Sequence, residues 1–251
     1  MKITATIQAR MGSSRLPGKV LKKINNKPIL EWQINRLKKS LLIDNIIIAT
    51  SDNKEDQKII ELCKSLDIQY WSGSENDVLG RVHDAFFSNK AAIHAEFYGD
   101  SPFIDPTIID QFLKYFLKEF DNIDYLTNSK TTTFPPGSEF SIYKSECLKY
   151  AHDYTDICDP LREHVSLNIT NKDKFRTKNI EAFGILNEPN LYLEIDTIKD
   201  YEMLSKLIPI VINEFGNDFG LLDIIHTSKK EIELCKLNST VERRWKKFRE
   251  G

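Results

Sequence analysis

Long apolar runs are missing from this chain: none in its 251 residues is long enough to span a bilayer. Paired cysteines are missing too. The four cysteines, Cys63, Cys147, Cys158 and Cys235, form no CxxC pair and show no Cys/His spacing suited to zinc, so reduced, partly buried thiols are expected. Neither sign of charge is in excess. A formal net charge of -2 argues against general affinity for nucleic acid or anionic membrane, while leaving room for a local basic pocket. No signal-peptide pattern stands at the N-terminus, and Met1-Lys2 leads straight into a strand-like run, so a cytoplasmic protein is expected. GxGxxG is absent as well, which removes the dinucleotide-binding fingerprint.

What is present is an alternation of short apolar runs with amphipathic stretches. Residues 3–7, 46–50, 68–71 and 92–98 read as strands. Between and after them, residues 28–40, 54–66, 77–89 and 106–120 read as helices. Pro28 suits a first helical turn, Ser51-Asp52 suits a cap for the second helix, and Asp105-Pro106 suits cap and first turn of the fourth. Such a βαβα rhythm implies a mostly parallel sheet flanked by helices, whose ligands bind at the carboxyl ends of the strands. The second half is less regular. A turn-rich break, TTTFPPG, precedes an added strand at 139–143; 145–150 and 161–169 read as helices, and 191–195 as a strand before Asp196. A helix opened by Thr197 or Asp200 runs to about 214. One α/β domain over 1–228 is expected, with an inserted arm at about 130–170 and a basic C-terminal extension at 229–251.

The densest chemistry lies in IQARMGSSRLPGKVL, residues 7–21. Directly after the first strand it places Arg10, Arg15 and Lys19 on a loop with Gly12, Ser13, Ser14 and Gly18. Glycines let amides approach an anion, while cations and hydroxyls supply charge and hydrogen bonds, which suits a triphosphate. The loop is not a P-loop: five residues separate Gly12 from Gly18, and Val20 stands where a magnesium-binding hydroxyl belongs.

That stretch resembles the signature of the cytidylyltransferase family that includes the spore-coat polysaccharide protein F group. Acylneuraminate and 3-deoxy-octulosonate cytidylyltransferases are its more distant relatives. The resemblance continues through ATSD at 49–52, GSENDVL at 73–79, GDSPFIDP at 99–106, Phe134-Pro135 with Gly137, REHV at 162–165 and IDT at 195–197. It implies a Rossmann-like nucleotide-diphospho-sugar transferase fold. It further implies a magnesium-dependent enzyme that transfers CMP from CTP to an acidic sugar or other small acceptor, in surface polysaccharide biosynthesis, as a homodimer.

Nucleotidyl transfer requires a held triphosphate, a polarised α-phosphorus and an acceptor oxygen in line with departing pyrophosphate. Arg10, Arg15, Lys19, Ser13, Ser14 and the Gly12 amide suit the first task, Arg15 being able to grip phosphate bidentately. Asp100 and Asp196 each follow an apolar run; the resemblance implies this pair as magnesium ligands. A capping role competes for each, although Asp105 has the better claim to the cap near Asp100. The resemblance also puts Ala9, Ser51, Asp77 and Arg81 around cytosine and ribose, against an N-cap role for Asp77 and a surface ion pair for Arg81. Glu139, Tyr143, Arg162, Glu163 and His164 fall where the acceptor is expected, although a lone histidine is more often structural. His83, His94, His152 and His226 show no partner pattern.

Departures from the family pattern gather in the acceptor half: Glu96 where a basic residue is common, Gly137-Ser138-Glu139 for Gly-Leu-Asp, Tyr192-Leu193-Glu194 before Asp196, and Thr197-Ile198-Lys199-Asp200 for Thr-Pro-Glu-Asp. An ordinary nucleotide and an unusual acceptor are therefore expected. The tail RRWKKFR at 243–249 reads as a terminal helix with Trp245 and Phe248 packed down, rather than as a nucleic-acid site. Two rivals remain. A glycosyltransferase of the related fold would use DxD, and Gly99-Asp100-Ser101 offers no second Asp at that spacing. A non-catalytic assembly partner would have little reason to keep Arg15, Lys19, Asp100 and Asp196.

Overall fold

The computed structural model describes residues 1–171 and 174–246. Strand β1 (Ile3–Gln8) is buried on both faces and lies mid-sheet. After the basic loop, a short hairpin of β2 (Lys23–Ile24) and β3 (Lys27–Pro28) leads into helix α1 (Ile29–Leu37). Then come β4 (Asn45–Ser51), α2 (Gln57–Ser65), β5 (Gln69–Gly73), α3 (Val78–Phe87), β6 (Ile93–Tyr98) and α4 (Pro106–Lys118). Next are β7 (Tyr125–Thr127), β8 (Ser141–Lys144), α5 (Ser145–Tyr154), α6 (Leu167–Thr170) and β9 (Thr177–Asn179). The long α7 (Ile198–Phe215), α8 (Leu221–Lys230) and α9 (Ile232–Cys235) complete the described helices.

Seven strands form one sheet in the order β5-β4-β1-β6-β8-β7-β9. The β5, β4, β1 and β6 half is parallel, β8 runs antiparallel to both neighbours, and β9 is parallel to β7. This is the expected mostly parallel sheet flanked by helices. Alternation along β4 shows how both faces are filled. Ile48 joins the core with Ile59 and Cys63 of α2, while Ile47 and Ala49 join Leu79 and Val82 of α3 on the opposite face. Asp105 caps α4 by accepting the amides of Thr107 (2.8 Å) and Ile108, with Pro106 in the first turn, as its sequence suggests.

Four local expectations are corrected. Residues 191–195 make no strand ladder; the backbone is instead tied by Leu193 N to Pro136 O and Ile195 N to Asp100 O (2.9 Å). This path passes directly over Gly137, at φ 96°, where a Cβ would meet the Glu194 nitrogen at 2.2 Å. Residues 161–169 do not form one helix; a 3-10 turn (Pro160–Glu163) and the short α6 share the span. Ser51 and Asp52 do not cap α2. Ser51 is fully buried and its hydroxyl donates to Asp56 in the turn before that helix. Arg81, finally, is no surface ion pair: it is buried on α3, and its Nη1 donates to the Ser74 carbonyl (2.6 Å).

Candidate active site

Strands β1, β4 and β6 are parallel and in register, so their carboxyl ends meet along one edge. β1 delivers Ala9 and Arg10 there, β4 delivers Ser51, and β6 delivers Asp100. The ends of β1 and β6 approach so closely that a Cβ at Gly99 would stand 2.7 Å from the Gln8 carbonyl, which leaves room only for glycine. Asp100 is thereby brought beside the basic loop.

The loop itself is pinned at both ends. The Met11 amide donates to Asp56 Oδ1 (2.6 Å), and the Gly18 amide closes back onto the Met11 carbonyl (2.9 Å), with Gly18 at φ 67°. Asp56 thus holds the loop and Ser51 together. Its role escapes the sequence because nothing local marks a carboxylate that works 45 residues away. Lys19 opens the 3-10 turn Lys19–Leu21, and its Nζ lies 2.9 Å from Asp100 Oδ2 and 2.8 Å from Asp196 Oδ1. Arg15 Nη2 meets the other oxygen of Asp196 at 2.5 Å. Burial alone would pull the Lys19 pKa down, but the two carboxylates outweigh it and hold the ammonium above its ordinary value. Burial would likewise raise Asp196, and Lys19 and Arg15 overcome it to hold that carboxyl low.

Capping does not consume either aspartate. Thr197 is the N-cap of α7 in a capping box with Asp200, whose Oδ2 accepts the Thr197 amide (2.8 Å), so Asp196 remains for the loop cations. The Ile195–Asp100 backbone bond, rather than a strand, brings the two carboxylates together. Arg10 lies between Glu163 (3.3 Å) and Glu75 (3.9 Å). Gly12, Ser13 and Ser14 lie on the loop's partly exposed face.

Asp77 caps α3 through the Gly80 amide (2.9 Å), and it is also gripped by Arg162 through Nε (2.7 Å) and Nη2 (3.0 Å). Burial would raise its pKa, but the guanidinium and the cap amide hold it below the usual carboxylate range. Arg162 also donates to the Thr155 carbonyl (2.8 Å), so the pair fastens the arm to the start of α3. Asp77 and Arg162, read from the sequence as belonging to different substrates, are partners of one another. Arg162→Ala is expected to cost about 3 kcal/mol of stability, because it removes a bidentate partner that is itself buried. Urea unfolding would show it, and a loss below about 0.5 kcal/mol would contradict the fastening role.

Beside Asp100 and Asp196 opens a cavity of about 570 Å³. Glu139, Glu163, His164 and Lys130 line it, with Gln8 and Tyr98 from the sheet and Arg244 and Trp245 from the C-terminal segment. Tyr143 does not reach it. That residue is fully buried, and its hydroxyl donates to Glu96 (2.8 Å), which also accepts from Gln8 Nε2 (2.6 Å). Burial pushes Glu96 up to about 7, and burial together with the neighbouring Glu139 pushes Glu194 up to about 8. His94 is also a core residue; burial lowers it to about 3, and it shares a hydrogen bond with Thr6 (2.7 Å).

A pH effect follows from the two glutamates. Free in an unfolded chain they ionise near 4.5, so folding retains protons that unfolding releases. Their contribution is complete below about pH 4.5 and is lost as pH rises through about 7 and 8. Each unit of displacement is worth about 1.4 kcal/mol. Asp77 and Asp196, shifted downward, act at the acid end of the scale and leave this window untouched. Glu96→Gln, which keeps the shape of the protonated acid, is expected to flatten the decline in Tm between pH 5 and 8. An unchanged slope would remove Glu96 from the account.

Comparison with known proteins places this geometry. A family model described as Cytidylyltransferase matches residues 4–233. The spore coat polysaccharide biosynthesis protein SpsF of Bacillus subtilis is 31% identical over 206 residues, covering 80% of this chain and 84% of that protein. A 3-deoxy-manno-octulosonate cytidylyltransferase of Pelobacter propionicus is 32% identical over 122 residues, 47% of this chain and 46% of that one. The solved structure of a cytidylyltransferase from Leptospira borgpetersenii superposes with a TM-score of 0.86 at 31% identity, covering 97% of this chain and all of that one (100%).

Proposed function

Because the chain belongs to the cytidylyltransferase family, we propose that it catalyses magnesium-dependent transfer of CMP from CTP to an acidic sugar or similar small acceptor, releasing pyrophosphate. The observation that carries this reading is Lys19 seated between Asp100 and Asp196, with Arg15 on the same carboxylate, at the mouth of the cavity. Opposite charges are gathered there around one point, at the edge where the parallel strands end. Family membership also sets aside the glycosyltransferase reading.

In the reaction an acceptor oxygen bonds to the α-phosphorus while the bond to the bridging oxygen of the departing pyrophosphate breaks. Arg10, Arg15 and Lys19, with the loop amides and Ser13 and Ser14, hold the triphosphate and neutralise the charge that builds on the leaving group. Asp100 and Asp196 suit magnesium: both are oxygen donors, and the Lys19 ammonium between them supports a shared side that favours a cation. The metal, when bound there, would polarise the α-phosphoryl group. Ala9 follows β1 and Asp77 caps α3 just after β5, on the side expected for cytosine and ribose, with Arg81 and Ser51 buried. The cavity takes the acceptor; among five carboxylates on its wall, Lys130 and His164 are the groups placed to meet the acid group of a sugar.

The name of the Bacillus subtilis relative supports a place in surface polysaccharide synthesis. Use of CTP accords with a cytoplasmic site of action, and the exposed apolar side chains of Ile157 and Phe183 accord with a homodimer, which light scattering would test. The deciding assay combines the protein, magnesium, each nucleoside triphosphate in turn and a panel of sugar acids, and measures pyrophosphate. Release with CTP is expected. Clear preference for UTP, ATP or GTP would overturn the assignment.

A further inference from the structure

The basic C-terminal segment lies largely beyond the matched family region, which ends at residue 233. As far as residue 246 it packs back onto the site; the expected helix partner Phe248 lies outside the described residues. Two buried residues anchor it. Asn238 Nδ2 donates to Asp200 Oδ1 (2.9 Å) and to the Tyr192 carbonyl (3.1 Å). Arg243 donates to Asp200 Oδ1 (2.7 Å), lies 3.3 Å from Glu194, and stacks 4.2 Å from the Tyr192 ring. A buried guanidinium is costly to desolvate unless its partners are fixed, so this clamp sets where the next residues go. It grips the same 191–200 stretch that carries Asp196.

The residues so placed touch the loop and the cavity. Arg15 Nη1 donates to the Glu242 carbonyl (3.0 Å), Arg244 Nη1 donates to Ser14 Oγ (3.3 Å), and Trp245 Nε1 donates to Glu194 (2.8 Å). Arg244 and Trp245 both line the cavity. We propose that this segment completes the active site as a strap, and that Arg244 is a triphosphate ligand supplied from beyond residue 233, where the family model ends. The assignment rests on the CTP reading. Phosphate is favoured over the acceptor because Arg244 reaches the loop that carries Arg15 and Lys19. Among the described residues its partner is a single neutral hydroxyl at 3.3 Å, which a phosphate oxygen would displace in favour of a charge-assisted, forked contact.

The test is calorimetric binding of CTP and of CMP, each with magnesium, to wild type, Arg244→Gln and Arg244→Lys. Arg244 is exposed, so the variants should fold with unchanged Tm. Loss of a charged hydrogen bond is expected to weaken CTP at least about ten-fold. CMP, lacking the β- and γ-phosphates, should bind Arg244→Gln and wild type alike, and lysine should restore part of the CTP affinity. Equal CTP affinity in wild type and Arg244→Gln would overturn the strap and leave the cytidylyltransferase reading intact, as would parallel losses for CTP and CMP. A wild-type protein that does not bind CTP would sink both.

Discussion

Asp100→Asn is expected to lower turnover by about a hundred- to a thousand-fold while the protein stays folded, the cost typical of losing one preorganised charge at a reacting phosphoryl group. Asparagine keeps the volume of the carboxylate and retains an oxygen able to accept from Lys19 Nζ, now at 2.9 Å. What it removes is half of the anionic pair that suits magnesium. The backbone around it is secured independently, by the Ile195–Asp100 bond and by Gly99 against β1. Initial rates of pyrophosphate release with CTP would be compared at matched Tm. Turnover within a factor of three of wild type would take Asp100 out of the chemistry.

Lys19→Met should lose activity on a similar scale and, unlike Asp100→Asn, lose stability as well. Methionine fills much of the same volume but leaves Asp100 and Asp196 facing one another, with Arg15 as the remaining strong partner of Asp196. Removing one member of such a partly buried cluster costs about 3 kcal/mol at neutral pH. The pH dependence separates this from simple loss of packing. The Lys19 pKa is raised, so its ammonium contributes fully below its ordinary 10.5 and loses that contribution only as pH rises through its shifted value. The Asp196 pKa is lowered, so its contribution is present above 3.8 and is lost as pH falls. The gap in Tm between wild type and Lys19→Met should therefore be wide at pH 7 and narrow only as pH falls below 3.8, where Asp196 loses its charge. A gap independent of pH would mean that the methionine variant suffers from shape rather than charge.

The parts of this site differ in how far the sequence reveals them. Arg10, Arg15 and Lys19 are readable because cations, glycines and hydroxyls crowd one short loop directly after an apolar run, and a loop in that place has few other uses. Asp100 is readable because strand β6 ends beside it and Asp105 takes the cap. For Asp196 the resemblance points the way, while the strand expected before it does not form. The apolar residues before it suggest a strand, yet they cross over Gly137 and are held by the Pro136 and Asp100 carbonyls. Tyr143 and Arg162 mislead more strongly, since each is polar and each turns inward to a partner, Glu96 and Asp77, that the local sequence does not name. The separation between Arg162 and Asp77 is 85 residues, and that between Arg15 and Asp196 is 181.

The order of apolar runs, caps and the basic loop determined by itself the alternating architecture and the edge of the sheet where anion chemistry belongs. These are short-range consequences of periodicity, burial and backbone freedom, which act over a turn or a strand. Only the tertiary structure decided which charges meet. Arg162 grips Asp77 rather than facing the cavity, Glu96 is sealed beneath Tyr143, and the tail returns to seat Arg244 beside Ser14. A charged side chain lowers its free energy through whichever opposite charge packing brings within about 4 Å, and that distance is set by the folded chain as a whole.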